Sequence, residues 1–128
     1  MKNPLVSVIV PVYCSESYLP VCCQSLFSQA LASIEYLFII DGPSSEAESI
    51  ILQQLVHFPE RKKQVRIISH NSNYGISFCR QEGHDLATGR YLFHCVSDDW
   101  VETDTFSLVV EEAEKTQSDL VYFEYWRH

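Results

Sequence analysis

The apolar positions fall into short blocks, separated by longer stretches in which they recur at helical spacing. Leu5 to Val12 reads L-V-S-V-I-V-P-V, nearly continuous and rich in β-branched residues. That is the pattern of a strand buried on both faces of a parallel sheet. Leu19, Cys22, Cys23, Leu26 and Phe27 predict a helix running to about Gln29, capped by Ser15 or Ser17. Tyr36 to Ile40 predicts a second strand, stopped by Asp41-Gly42-Pro43. Ser44-Ser45 opens a second helix with Ile50, Ile51, Leu55 and Phe58 on one face, ending before Pro59. Val65 to Ser69 is a third predicted strand, and His70 to Asn73 a polar loop. A third helix is expected from about Tyr74 to Ala87, ended by Thr88-Gly89, with the glycine supplying a left-handed residue. Tyr91 to Val96, a helix from about Thr103 to Gln117, and Leu120 to Tyr125 complete the pattern.

Strands separated by helices of this length must be mostly parallel, with right-handed crossovers. The expected fold is therefore α/β: an open, mostly parallel sheet with helices on both faces. Residues 1–128 show no repeat or linker and read as a single domain. Ligands of such sheets bind at the carboxyl ends of the strands.

Composition narrows the field. Hydrophobic residues make up 46% and charged residues 20%, enough apolar surface for a packed core. No apolar run reaches ~18 residues, so no membrane-spanning helix is predicted. Met1-Lys2-Asn3-Pro4 does not read as a signal peptide. Nine basic against seventeen acidic residues give a net charge of −8, which argues against nucleic-acid binding. An anionic small ligand would need backbone N–H groups, a few cations or a metal to receive it. Arg61-Lys62-Lys63 and Arg66 read as a solvated helix end. The five cysteines are odd in number and lack zinc-ligand spacing, so they read as reduced, mostly buried thiols. The histidines are scattered, form no HxxxH pair, and read as surface or core residues.

Four polar loops converge on the carboxyl rim of the expected sheet. The adjacent carboxylates of Asp98-Asp99 would repel unless solvated, set at a helix start, or bridged by a hard divalent cation. Asp41-Gly42 reads either as a turn or as a hydrogen-bond acceptor for a base or ribose. Tyr13 reads as a loop aromatic or a stacking platform. Arg80 reads as a surface helix residue or as a partner for phosphate or carboxylate.

Taken in order, these segments resemble family 2 glycosyltransferases of the GT-A fold. Val6 to Tyr13 is similar to the family opening V-S-V-I-I-P-V-Y-N, and Glu16, Tyr18, Leu19, Ser25, Leu26 and Gln29 match E-x-Y-L…S-I-x-x-Q. Ile40-Asp41-Gly42-Pro43-Ser44 resembles D-D-G-S-T, and Asn73-Tyr74-Gly75 with Arg80 resembles N-x-G-x-x-x-A-R-N. Ala87 to Tyr91 matches A-T-G-x-Y, and Ser97 to Trp100 matches the end of D-S-D-D-W. The resemblance implies a Rossmann-like GT-A nucleotide-binding half. It implies inverting transfer of a sugar from a nucleotide-sugar donor, most often a UDP-sugar, to an acceptor hydroxyl in cell-surface polysaccharide or glycan synthesis. By match, Pro11 and Tyr13 would line the base and ribose pocket, Asp41 would meet the base, and Arg80 would support the nucleotide. Asp98 would approach ribose or metal, and Asp99 the metal and diphosphate, with Mn²⁺ or Mg²⁺ as Lewis acid. The other partner would be a glycan or lipid-linked acceptor. The implied location is cytoplasmic, peripheral to the inner face of the membrane.

The family's general base is expected beyond His128, so the chain reads as truncated at its C-terminal end. Five positions depart from the pattern. Val96 and Ile40 stand where Asp is usual, Cys14 and Gln81 where Asn is usual, and Pro43 interrupts G-S-T. Val96, Ile40 and the expected truncation motivate a second reading, a non-catalytic binding or assembly module that forms a homodimer through core surface exposed where later elements should pack. A dinucleotide oxidoreductase is disfavoured, because no G-x-G-x-x-G follows the first strand.

Overall fold

The computed structural model describes residues 4–95, 97 and 100–116. Val96, Asp98, Asp99 and the expected fifth strand, Leu120 to Tyr125, lie outside the described residues. The elements alternate as β1 (Val6–Val12), α1 (Leu19–Phe27), β2 (Ile34–Ile40), α2 (Ser45–Leu55), β3 (Val65–Ser69), α3 (Ile76–Leu86), β4 (Tyr91–His94) and α4 (Thr105–Thr116). A 3₁₀ turn, Pro59–Gln64, precedes β3.

The four strands form one sheet in the order β3-β2-β1-β4, and every pairing is parallel. β1 is buried at every position, as its unbroken apolar run requires. Its residues divide between two cores. Val6, Val8, Val10 and Val12 face the larger core, with Tyr36 and Phe38 of β2, Leu26 of α1, Ile51 of α2 and Phe106 of α4. Ile9 faces the smaller one, with Leu37, Ile39 and Cys79 of α3. Helices on both faces of a parallel sheet are thus what the structure shows. No helix among the described residues is long and apolar enough to cross a membrane.

The helix ends hold the corrections. Ser44 caps α2 as expected, its hydroxyl accepting from the Ala47 N–H at 3.1 Å. Neither Ser15 nor Ser17 caps α1 through its side chain. The N-cap is Tyr18, Pro20 lies in the first turn, and the Ser15 carbonyl accepts from the Tyr18 and Leu19 N–H groups. α3 begins two residues later than expected, at Ile76, and Ala87 leaves it in an extended conformation. Gly89 has no positive φ. It is needed for space: a Cβ there would lie 2.7 Å from the Ser7 backbone nitrogen.

Arg61 is the largest departure. It is buried rather than solvated. Its Nε donates to the Phe27 carbonyl, Nη2 to those of Gln29 and Leu31, and Nη1 to Ala32 and to the Gln64 side chain, all at 2.8–3.0 Å. The end of α1 leaves carbonyls without intrahelical partners, and one guanidinium satisfies them.

Candidate functional site

The sheet order runs outward from β1 through β2 to β3 on one side and to β4 on the other. That reversal opens a crevice at the carboxyl ends of the strands. The Ser15 and Ser97 hydroxyls hydrogen-bond across it, joining the loops after β1 and β4. Among the described residues, two cavities lie along the rim. One, of about 320 Å³, is lined by Val12, Tyr13, Glu16, Asp41, Pro43 and Asn73 among others. The second, of about 310 Å³, is lined by Pro11, Tyr13, Asp41, Asn73, Gly75 and Ser97 among others. Tyr13, Asp41 and Asn73 border both.

Asp41 is buried at the end of β2 and organises the loop after β3. Its Oδ1 accepts from the Tyr74 N–H and its Oδ2 from the Gly75 N–H, each at 2.8 Å. Asn73 Oδ1 also accepts from the Gly75 N–H, at 2.9 Å. Gly75 has φ +99°, a conformation few residues with a side chain adopt, and so turns both N–H groups towards Asp41. Burial pushes the Asp41 carboxyl up, but the Tyr74 N–H, the His70 ring and the Gly75 N–H together hold it below its usual value.

Beside Asp41 stands His70, the first residue after β3. The β2–β3 register pairs Ile40 with Ser69, so the two polar residues leave the sheet side by side. His70 Nδ1 is 3.0 Å from Asp41 Oδ1, and Nε2 is 2.6 Å from Glu82 Oε1 on α3. The ring is edge-on to Tyr74 and Phe78, which stack with centroids 4.9 Å apart. Burial pushes the Cys79 thiol up to about 12, reinforced by Asp41 beside it. Asp41, His70 and Cys79 have ligand-type atoms within 4.8 Å of one another. Ring and carboxylate are hydrogen-bonded to each other and the thiol is held protonated, which is the chemistry of a hydrogen-bonded cluster.

Of the residues singled out from sequence, Pro11, Tyr13 and Asp41 come together at the cavities. Arg80 does not line either; it is exposed on α3. With burial as the first cause, Arg80 helps hold the His94 pKa below its usual value. Asp98 and Asp99 lie outside the described residues. Cys14 is exposed, with φ +50°, a left-handed conformation that asparagine takes at lower cost. Ile40 is buried in the larger core. Sequence reasoning missed His70 and Glu82. The available signal was the position of His70 at a strand end directly beside that of Asp41.

A model of glycosyl transferase family 2 matches residues 7–128. The chain belongs to that family. It is 36% identical over 118 residues to the uncharacterized glycosyltransferase EpsJ of Bacillus subtilis, covering 92% of this chain and 33% of that protein. Among solved structures it is similar to S. aureus TarS (residues 1–349) in complex with UDP, with a TM-score of 0.79 and 22% identity, over 90% of this chain and 33% of that one. It is also similar to the mannosyltransferase PcManGT from Pyrobaculum calidifontis in complex with GDP-Man and Mn²⁺. There the TM-score is 0.76 and the identity 16%, over 88% of this chain and 33% of that one. The chain spans about a third of the length of the curated relatives it matches. The sheet is the GT-A fold that the motifs implied.

Proposed function

We propose that this chain is the donor-binding half of a glycosyltransferase whose sugar comes from a nucleoside diphosphate, UDP foremost. The observation that carries the reading is the pair of cavities sharing Tyr13, Asp41 and Asn73 at the sheet's switch point. A family relationship and a fold shared with structures in complex with UDP and with GDP-Man support it. Pro11 and Tyr13 offer an apolar and aromatic wall for the base, with Asp41 at the floor between the cavities. The acceptor would be a hydroxyl of a glycan or lipid-linked chain, deprotonated by a carboxylate beyond residue 128, with inversion at the anomeric carbon.

Asp98 and Asp99 are oxygen donors of the kind Mn²⁺ and Mg²⁺ take, and on this reading they would hold one. A bound divalent cation would supply Lewis-acid stabilisation of the departing diphosphate. With a net charge of −8 on the chain, such a counter-charge would favour binding of an anionic ligand. Calorimetry with UDP and with GDP, with and without Mn²⁺, tests the reading. Binding that needs Mn²⁺ and weakens at least about tenfold in Asp99→Ala is expected, a difference of ~1.4 kcal/mol. If neither nucleotide binds under any of these conditions, the donor reading is wrong.

A further inference from the structure

His70 is nearly enclosed, with a side chain 8% exposed, and each ring nitrogen meets a carboxylate. A neutral imidazole carries one N–H, so it can donate to only one of two acceptors; the imidazolium donates to both. The charged and titratable groups facing the ring are Asp41 from the end of β2 and Glu82 and Cys79 from α3, with Tyr74 of the loop packed edge-on. The Cys79 thiol stays protonated, so an imidazolium at His70 would carry one positive charge between two carboxylates.

We propose that His70, as an imidazolium bridging Asp41 and Glu82, is a positioning residue of the donor site: it fixes Asp41 and, through Asp41, the Asn73–Gly75 loop, whose Asn73 borders both cavities and whose Gly75 borders the second. The connection runs through atoms in contact. Glu82 holds Nε2, Nδ1 holds Asp41 Oδ1, and the two oxygens of Asp41 hold the Tyr74 and Gly75 N–H groups. Burial works against the charged ring, and the hydrogen bonds to Asp41 and Glu82 outweigh it, so its pKa lies above the usual histidine value. When the ring loses its proton, one nitrogen lone pair is left facing a carboxylate. The shorter contact, Nε2 to Glu82 at 2.6 Å, keeps the remaining proton, so Asp41 Oδ1 faces the bare Nδ1, the loop's anchor is weakened, and the site loses a positive charge favourable to a diphosphate. The consequence for ligand binding rests on the donor reading above; the clamp itself does not.

The test uses the 128-residue chain between about pH 5.5 and 8.5. Nuclear magnetic resonance follows the His70 ring and the exchange protection of the Tyr74 and Gly75 amides, corrected for the intrinsic rate at each pH. Calorimetry with excess Mg²⁺ follows UDP-glucose, whose diphosphate keeps its charge across this range. His70 is expected to titrate above its ordinary value. Amide protection and UDP-glucose affinity should fall in step with it, by up to about tenfold per pH unit. In Glu82→Gln the neutral ring keeps its Nδ1–H on Asp41 and accepts the amide N–H at Nε2, so the fall in protection disappears and only the smaller fall in affinity due to the lost ring charge remains. His70→Leu should lower the protection at every pH. Protection that ignores pH in the wild type, or that falls equally in Glu82→Gln, overturns the proposal. Protection that follows His70 in a chain that binds no UDP-glucose at any pH upholds the clamp and removes the donor reading.

Discussion

At the scale of single residues, the A-T-G-x-Y segment shows why a motif can be structural and still belong to a binding fold. Thr88 donates its N–H and its hydroxyl to the Glu35 carboxylate, at 2.9 and 3.1 Å. Gly89 donates to the Ser7 hydroxyl at 2.8 Å, and Ser7 in turn donates to Glu35 at 2.8 Å. These bonds draw the connection between α3 and β4 against the start of β1. A Cβ on Gly89 would stand 2.7 Å from the Ser7 nitrogen and 2.9 Å from the Val6 carbonyl carbon. Both are backbone atoms of a central strand and cannot rotate away. Gly89→Ala should therefore lower stability by about 2–3 kcal/mol, the upper part of the range for overpacking. Urea unfolding followed by circular dichroism would read this as a lower midpoint with an unchanged slope. A midpoint equal to that of the wild type would mean that β4 can separate from β1 at little cost.

At the scale of elements, order and type were legible because the apolar pattern is produced by the same burial that makes the sheet. Strand and helix boundaries were less so, since caps are decided by backbone geometry. Ser44 and Ser15 look alike in sequence, yet the first caps α2 with its hydroxyl, whereas the second lies ahead of the α1 cap and it is its carbonyl that accepts, from the Tyr18 and Leu19 N–H groups. Arg61-Lys62-Lys63 reads as one charge run, and nothing in the run says that its first member turns inward. The open carbonyls at the end of α1 decide that. Likewise His70 is one of five scattered histidines, and only the β2–β3 register sets it beside Asp41. Gln29 shows the same dependence on partners: its amide donates to the Ser25 and Glu102 carbonyls, while its Oε1 accepts from the Phe106 N–H in the first turn of α4. The clearest test at this scale is Arg61→Ala. It strands the buried carbonyls of Phe27 and Gln29 and removes the guanidinium lying 5.7 Å from the Tyr36 ring centroid. A loss of about 3 kcal/mol or more is expected, because each buried acceptor left without a donor costs about 1–3 kcal/mol. Arg61→Lys should recover less than half, since one ammonium cannot span carbonyls that a planar fork reaches. Thermal unfolding of both variants measures this; full recovery by lysine would show that charge alone matters.

For the whole molecule, stability should respond to pH through the cluster that joins β2, β3, α3 and the rim loop. The signs differ for its two titrating members. Asp41 is held below its usual pKa, so its contribution is complete above the ordinary carboxylate value and is lost as pH falls through the lowered one. His70 is held above its usual pKa, so its contribution is complete below about 6.5 and is lost as pH rises through the raised value. A background effect opposes the acid limb. With seventeen acidic residues and a net charge of −8, protonating surface carboxylates relieves repulsion in the compact chain. The cluster's part is isolated by comparison with Asp41→Asn, which leaves the surface charges in place. The amide sets its NH₂ against the Tyr74 or Gly75 N–H and gives His70 a neutral partner. Near neutral pH the variant should be less stable by about 2 kcal/mol, the range for hydrogen bonds to a charged group. That deficit should shrink on the acid side, where wild-type Asp41 is itself protonated, and on the alkaline side, where His70 no longer bridges. Urea midpoints of the two proteins measured across pH should therefore differ most near neutrality, converge at the acid end, and narrow without closing at the alkaline end, where Asp41 still holds the Tyr74 and Gly75 N–H groups. Curves that stay parallel throughout would mean that the cluster holds the fold by shape alone.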